Sequence, residues 1–235
     1  LSSSSAASDV YKRQILDCFT EGFGRIAVLS KGARAAKSRQ RQLCQPFTPI
    51  SSSWQGKSDL RTLLGIEPRS LPFTLLGNYL YSGLYLNELL TRLLPERDPS
   101  PDTYQRYHLA LEQLAAEQAL EPTLREFELG LLLDMGYAVN FESDQDGESL
   151  NEADRYFWRD QYGWVLAPRT DERGFSGASL LAIGCNDWSQ STTCLQAKAL
   201  TRMLLKPLLG SRPLNSRKLL SLSLIHISEP TRRTP

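Results

Sequence analysis

Apolar positions recur with two different periods along this chain. Ile15-Leu16-Asp17-Cys18-Phe19 and Arg25-Ile26-Ala27-Val28-Leu29 are short apolar runs joined by Thr-Glu-Gly-Phe-Gly at 20–24. Two such runs with a Gly-containing connection predict a hairpin. Ser30 to Gln42 reads as a loop rich in Lys and Arg, punctuated by Gly32. Pro46, Pro49 and the serines at 51–53 flank Phe47-Thr48, and Trp54 precedes a Gly56-Lys57 turn. Leu60 to Ile66 is a further extended run. Short strands punctuated by Gly and Pro predict a small barrel or sandwich.

After Pro72 the period becomes helical. Leu75, Tyr79, Leu80, Gly83, Leu86, Leu90 and Leu93 fall at 3/4 spacing, and this helix ends before Pro95. A second helix is expected from Asp102, as its cap, through about Gln118, with Tyr104, Tyr107, Leu111 and Leu114 on one stripe. Pro122 opens a third, whose stripe is Leu124, Phe127, Leu131 and Met135, with Gly136 just past its end. An acidic loop at 142–154 leads to Tyr156-Phe157-Trp158, a turn, and Trp164-Val165-Leu166, which predict a second hairpin. A last helix spans about Thr193 to Leu208. The predicted fold class is therefore α+β: a β module, then a mainly α-helical domain with a small β-hairpin.

The two ends differ from the rest. Leu-Ser-Ser-Ser-Ser-Ala-Ala-Ser at the front is low-complexity and unsuited to a core. Asp9 to Gln14 and the tail from about Ser223 look like translated adapter sequence, which is set aside from fold reasoning. The expected organisation is thus 1–14 non-native, 15–70 β module, 71–222 helical domain and 223–235 non-native.

Composition narrows the function. Of 235 residues, 41% are apolar and 23% charged, which is ordinary globular usage. The longest apolar runs fall far short of the ~20 residues of a spanning helix, so no membrane role is expected. Four cysteines in a chain of this length are no disulfide framework, and a reducing, cytoplasmic setting follows. Cys18, Cys44, Cys185 and Cys194 have 25, 140 and 8 residues between them, so none makes a zinc knuckle. Neither G-x-S-x-G, a phosphate-cradling G-x-x-x-x-G-K-[ST], nor G-x-G-x-x-G occurs. No cofactor and no enzymatic activity are expected.

Charge changes the picture most. The total is +1, yet residues 15–82 carry nine Lys/Arg against four acids, and residues 96–172 carry six against eighteen. Residues 196–220 hold six cations and no acid. Two cationic regions bracketing an anionic middle point to a polyanionic partner. Lys31, Arg34, Lys37, Arg39 and Arg41 sit on one inter-strand loop, where long cations suit phosphate contacts. Trp54, beside Lys57, is a candidate for stacking an unpaired base, with Phe19, Phe23 and Phe47 nearby. Arg202 and Lys206 share one helix face, and Arg212, Arg217 and Lys218 extend that patch.

Several segments in order resemble the RecO family of bacterial recombination mediators. They are Leu16-Asp-x-Phe-Thr-Glu with Gly24-Arg25, Lys31-Gly-Ala-Arg34 with Gln45-Pro-Phe-Thr-Pro49, and Leu80 to Leu90 (LYSGLYLNELL). Arg125 to Asn140 (REFELGLLLDMGYAVN), Thr201 to Pro207 and Pro213-Leu-x-Ser-Arg217 complete the set. The resemblance implies an N-terminal OB-fold barrel, its first strand missing here, followed by a helical domain. It implies binding of single- and double-stranded DNA, strand annealing, a partner RecR, and loading of recombinase on DNA coated by single-strand-binding protein. It further implies a groove for that protein's acidic C-terminal tail, with Arg125 for the tail's carboxylates and Leu129, Leu132 and Leu133 for its apolar end. Many relatives carry four zinc-binding cysteines; here Phe141 to Asp144 and Trp164-Val165 stand in those places. The expectation is that Tyr156, Phe157, Trp158 and Trp164 pack this hairpin without metal. The competing reading is a protein-interaction adaptor that touches DNA only incidentally.

Overall fold

Strands β1 (Arg13–Thr20) and β2 (Gly24–Lys31) pair antiparallel in unbroken register from Arg13 opposite Lys31 to Thr20 opposite Gly24. The Thr20 hydroxyl closes the turn, donating to the Gly24 carbonyl at 2.9 Å and accepting from the Phe23 amide at 3.2 Å. Gly24 has φ +65°, and a Cβ there would collide with the Asp98 backbone, so glycine alone fits. The computed structural model describes residues 13–31, 39–56, 60–168, 170–171 and 173–216.

A short helix α1 (Arg39–Leu43) stands where a loop is expected. Strands β3 (Ile50–Gln55) and β4 (Leu60–Pro68) complete a four-stranded sheet of order β1-β2-β4-β3. β2 and β4 run parallel, and β3 pairs antiparallel to β4 with a bulge between Ser53 and Trp54. The expected barrel is not closed among the described residues: β1 and β3 are the sheet's two edges. Closure would need a further strand between them. Ile26, Val28 and Leu63 are the buried centre of one face, with Leu16, Cys18, Trp54 and Ile66 packed around them.

The linker to the helices is anchored by Phe47. This residue sits at φ +62°, is buried, and accepts the Phe73 amide at 2.9 Å. A non-glycine side chain tolerates that conformation only when packing over-determines it. Helix α2 (Gly77–Leu93) supplies the packing: Gly83 leaves a notch in which the Phe47 ring and Leu75 rest, and a Cβ there would lie 2.9 Å from Phe47. Helix α3 (Pro101–Ala115) packs beside α2 through Thr103, Ala110, Leu111 and Leu114. Its N-cap is Ser100 with Pro101 at the first position; Asp102 lies in the first turn and is not the cap. A carboxylate there still favours the helix dipole. Phe19 packs against Tyr104 and Tyr107 of α3, at centroid distances of 5.6 and 6.1 Å.

Among the described residues, those up to Ala116 together with Pro213–Ser216 make one compact unit, and those from Glu117 to Arg212 make a second. In the first, Glu88 of α2 receives the Asn215 amide, the Ser216 amide and the Ser216 hydroxyl at 2.7–2.9 Å. Burial raises the Glu88 carboxyl, but those hydrogen bonds and the Arg92 charge outweigh it, and its pKa falls below 4.5. A depressed carboxylate stabilises above its unfolded pKa and loses that contribution as pH falls through the folded value. Glu88→Gln, or acidification below about pH 4, is expected to release residues 213–216. Faster amide exchange at Asn215 and Ser216 checks this, and unchanged protection would refute it.

The second unit begins with α4 (Leu120–Asp134). It ends in a Schellman motif: the Tyr137 amide reaches the Leu132 carbonyl at 2.8 Å and the Gly136 amide the Leu133 carbonyl at 2.9 Å, with Gly136 at φ +86°. A three-stranded sheet of order β6-β5-β7 follows, from β5 (Arg155–Arg159), β6 (Gly163–Leu166) and β7 (Phe175–Ser176). Helix α5 (Gly177–Gly184) was not expected from periodicity; Ser176 caps it by accepting the Ser179 amide. Helix α6 (Ser191–Leu209) carries Pro207 within its last turn. Leu150, Tyr156, Trp164, Leu180 and Leu200 form the core. Gly177 lies so close to the Asn151 carbonyl that any Cβ would overlap it. No helix among the described residues is long and apolar enough to cross a membrane.

Candidate nucleic-acid interface

The cations read from the sequence divide between the two units. In the first, α1 presents Arg41 to solvent, with Gln45 bonded back to its carbonyl at 2.9 Å. Lys31 ends β2 and Arg39 begins α1, both placed by their backbone alone. Arg34, Lys37 and Lys57 lie outside the described residues, as does Arg217.

In the second unit, α6 exposes Arg202 and Lys206, four residues apart on one face. Arg212 is exposed just beyond the helix. Residues 191–209 contain no carboxylate, so the helix itself contributes only positive charge. Lys198, on the same helix, is half-buried and bonded to Glu121 of α4. The helix therefore separates its cations: one locks it to α4, and the others face water.

Trp54 is half-buried on β3 and belongs to a cluster that the sequence does not show. Phe23, at the β1–β2 turn, meets the indole edge-to-face with centroids 5.4 Å apart, and the Arg61 guanidinium lies over the indole ring at 6.0 Å. Phe23 is 55% exposed. Its companions Phe19 and Phe47 are packing residues, as described above. Arg61 carries no local signal in the sequence beyond sharing the strand parity of Leu63.

The residues expected to receive an acidic tail divide sharply. The Arg125 guanidinium is 4% exposed, bonds Thr201 at 3.0 Å, and pairs with Glu128 at 3.0 Å. The cation expected to meet an incoming carboxylate already meets one from its own helix, one turn away. Leu132 is 1% exposed and belongs to the core, so it is not an available contact. Leu129 is half-buried and Leu133 is exposed. The helix period places 125, 128 and 132 on the inward face, while 129 and 133 drift outward.

No cluster of three metal-ligating side chains occurs among the described residues. Burial, with the nearby Asp17 and Cys44, pushes the Cys18 thiol up to about 11, so it is protonated at neutral pH and a poor nucleophile. Phe141 and Trp164, the places assigned to the relatives' two cysteine pairs, are in ring contact with centroids 6.5 Å apart. Trp158 and Phe175 add edge-to-face contacts at 5.1 and 5.5 Å, and the Tyr156 hydroxyl accepts the Asn151 amide. Phe157 stands outside this cluster, opposite Val165 in the ladder.

The family described as "Recombination protein O N terminal" matches residues 12–71, and "Recombination protein O C terminal" matches residues 77–218. A strand-rich front and a helix-rich remainder, both matched in order, define a two-part α+β protein of DNA repair. The chain is 40% identical over 215 residues to the DNA repair protein RecO of Mannheimia succiniciproducens, covering 91% of this chain and 94% of that one. It is 43% identical over 208 residues to that of Cellvibrio japonicus, covering 87% and 88%. Against Haemophilus influenzae strain PittGG it is 41% identical over 212 residues, covering 90% of each. The chain belongs to the RecO family of DNA repair proteins.

Proposed function

We propose that this chain is a non-enzymatic recombination mediator. It binds single- and double-stranded DNA through phosphates, anneals complementary strands, and helps recombinase load on DNA coated by single-strand-binding protein. The carrying observation is the exposed Arg202–Lys206 pair on a helix without a single carboxylate. Such cations release condensed counterions when they meet phosphates. The sheet supports an OB reading of the first unit. Order β1-β2-β4-β3 with a parallel β2–β4 pair is what a five-stranded Greek-key barrel leaves when its first strand is removed. RecR is the expected protein partner. The acidic tail of single-strand-binding protein is the expected ligand of α4, with Leu129 and Leu133 as its apolar contacts. Arg125 serves that tail only if a carboxylate from it replaces Glu128.

Arg202→Ala with Lys206→Ala is expected to weaken oligonucleotide binding at every sequence. It should flatten the plot of log affinity against log salt by about 1.4, roughly 0.7 per lost contact on a single strand. Fluorescence anisotropy across a salt series checks this; an unchanged slope would remove α6 from the interface. Annealing of complementary strands in the presence of single-strand-binding protein tests the mediator activity itself.

A second reading has its own observation. Leu195, 65% exposed, and Met203, 37% exposed, lie on α6 beside the same cations. Phosphates do not require apolar neighbours, so this face also suits an acidic, partly apolar protein segment. An adaptor would keep its protein partner in the double variant's salt series while showing no DNA affinity to lose.

A further inference from the structure

We propose that Phe23, Trp54 and Arg61 form a seat on which one unpaired nucleobase stacks. The inference rests on the DNA-binding reading above and adds to it a contact with the base rather than the phosphate.

Three observations converge. Phe23 stands at the apex of the β1–β2 turn with 55% of its surface open. The turn itself needs no ring there: its geometry comes from Thr20 and Gly24, and Gly22 beside it has open space. A single exposed apolar side chain is ordinary on a protein surface; what sets Phe23 apart is its contact with Trp54. Second, Phe23 is not loose. It is braced edge-to-face on Trp54, whose position is held by the core cluster below and by the bulge in β3. A braced ring loses little conformational freedom when a ligand stacks on it.

Third, Arg61 adds positive charge. Trp54 faces Leu63 across the β3–β4 ladder, and Arg61 lies two residues before Leu63, so both side chains share the Trp54 face. The guanidinium rests over the indole, and its buried Nε has no hydrogen-bond acceptor. Arg61 forms no ion pair among the described residues. Glu21, the acid of the same turn, is turned to Arg69 at 4.0 Å. The exposed Phe23 ring and the guanidinium held beside it suit a nucleobase, which offers a π-face, ring carbonyls and an adjoining phosphate. An aliphatic ligand would use neither the charge nor the orphan donor.

The test compares two strands of equal length and charge, an oligothymidine and its abasic analogue, bound by the full chain at fixed salt. Phe23→Ala is expected to weaken oligothymidine binding about tenfold. Its affinity for the abasic strand and its salt slope should not change. Phe23→Tyr, which keeps the ring, should restore wild-type affinity. Because Phe23 is exposed, the variant should melt like wild type, whereas Trp54→Ala would disturb the core. Equal effects of Phe23→Ala on both strands, or none on either, would overturn the stacking seat while leaving phosphate binding intact. Failure of the wild-type chain to bind either strand would overturn both readings.

Discussion

Trp164→Ala is expected to destabilise the second unit by about 3–5 kcal/mol, the range for truncating a large aromatic in a close-packed core. Trp164 is 1% exposed and is the ring against which Phe141, Trp158 and Phe175 pack. Its indole N–H also donates to the Asn140 carbonyl at 2.6 Å. Alanine would leave a cavity bounded by three rings and would remove the indole's hydrogen bond to Asn140. Trp164→Phe keeps most of the volume and loses the hydrogen bond, so it should cost about 1–2 kcal/mol. Urea titration followed by far-ultraviolet circular dichroism reads both values. A loss below about 1 kcal/mol for the alanine variant would show that the hairpin is held by something other than this cluster. A chelator should leave the midpoint of the wild-type transition unmoved if aromatic packing alone holds the hairpin.

Glu128→Ala should cost about as much, 3–5 kcal/mol, for an electrostatic reason. The Arg125–Glu128 pair is almost sealed from water, at 4% and 1% exposure, and the arginine's remaining partners are Thr201 at 3.0 Å and Glu121 at 4.0 Å. Removing the carboxylate leaves the buried guanidinium with a neutral hydroxyl and only the longer, partly exposed contact to Glu121. The double replacement Arg125→Met with Glu128→Leu removes both charges and should recover most of the loss, because two desolvated ions give way to apolar contacts. The non-additivity between the single and double variants is the measured quantity. Simple addition would mean that the two side chains do not depend on each other. The same variants bear on the tail of single-strand-binding protein. If that tail binds through Arg125, Glu128→Ala should tighten it by removing a competing carboxylate, whereas contact through Leu129 and Leu133 alone predicts no change.

The chemistry legible in the sequence differed from what needed the fold. Arg202 and Lys206 were readable as one face, because i and i+4 always share a face on a helix. The burial of Arg125 was not, since its sealing partner Thr201 lies 76 residues away. Trp54 could be singled out as a stacking candidate, but Arg61 reaches its ring only through the β3–β4 register and the bulge beside Ser53. Leu132 and Leu133 are adjacent and equally apolar, yet one is core and one is surface, a phase set by where α4 lies against its neighbours.

Three elements escaped the pattern for separate reasons. Strand β3 contains Ser51, Ser52 and Ser53, which have little strand preference and are held extended by pairing with β4. Helix α1 is only five residues long, below what local propensity sustains alone. Helix α5 is bounded by Gly177 and Gly184, and both glycines answer to tertiary contacts, with Asn151 and with Phe141.

From the sequence by itself came the α+β class, hairpins at about 15–29 and 156–166, the long helices and the family, whereas β1 begins earlier than expected, at Arg13. These depend on periods, caps and breakers that act within a few residues, and on order along the chain. The tertiary structure alone decided the sheet order, the parallel β2–β4 pair, the glycine notch that holds Phe47 and which charges are spent inside the protein. Those outcomes require atoms distant in sequence to occupy neighbouring space, and no local rule of spacing encodes which distant atoms will meet.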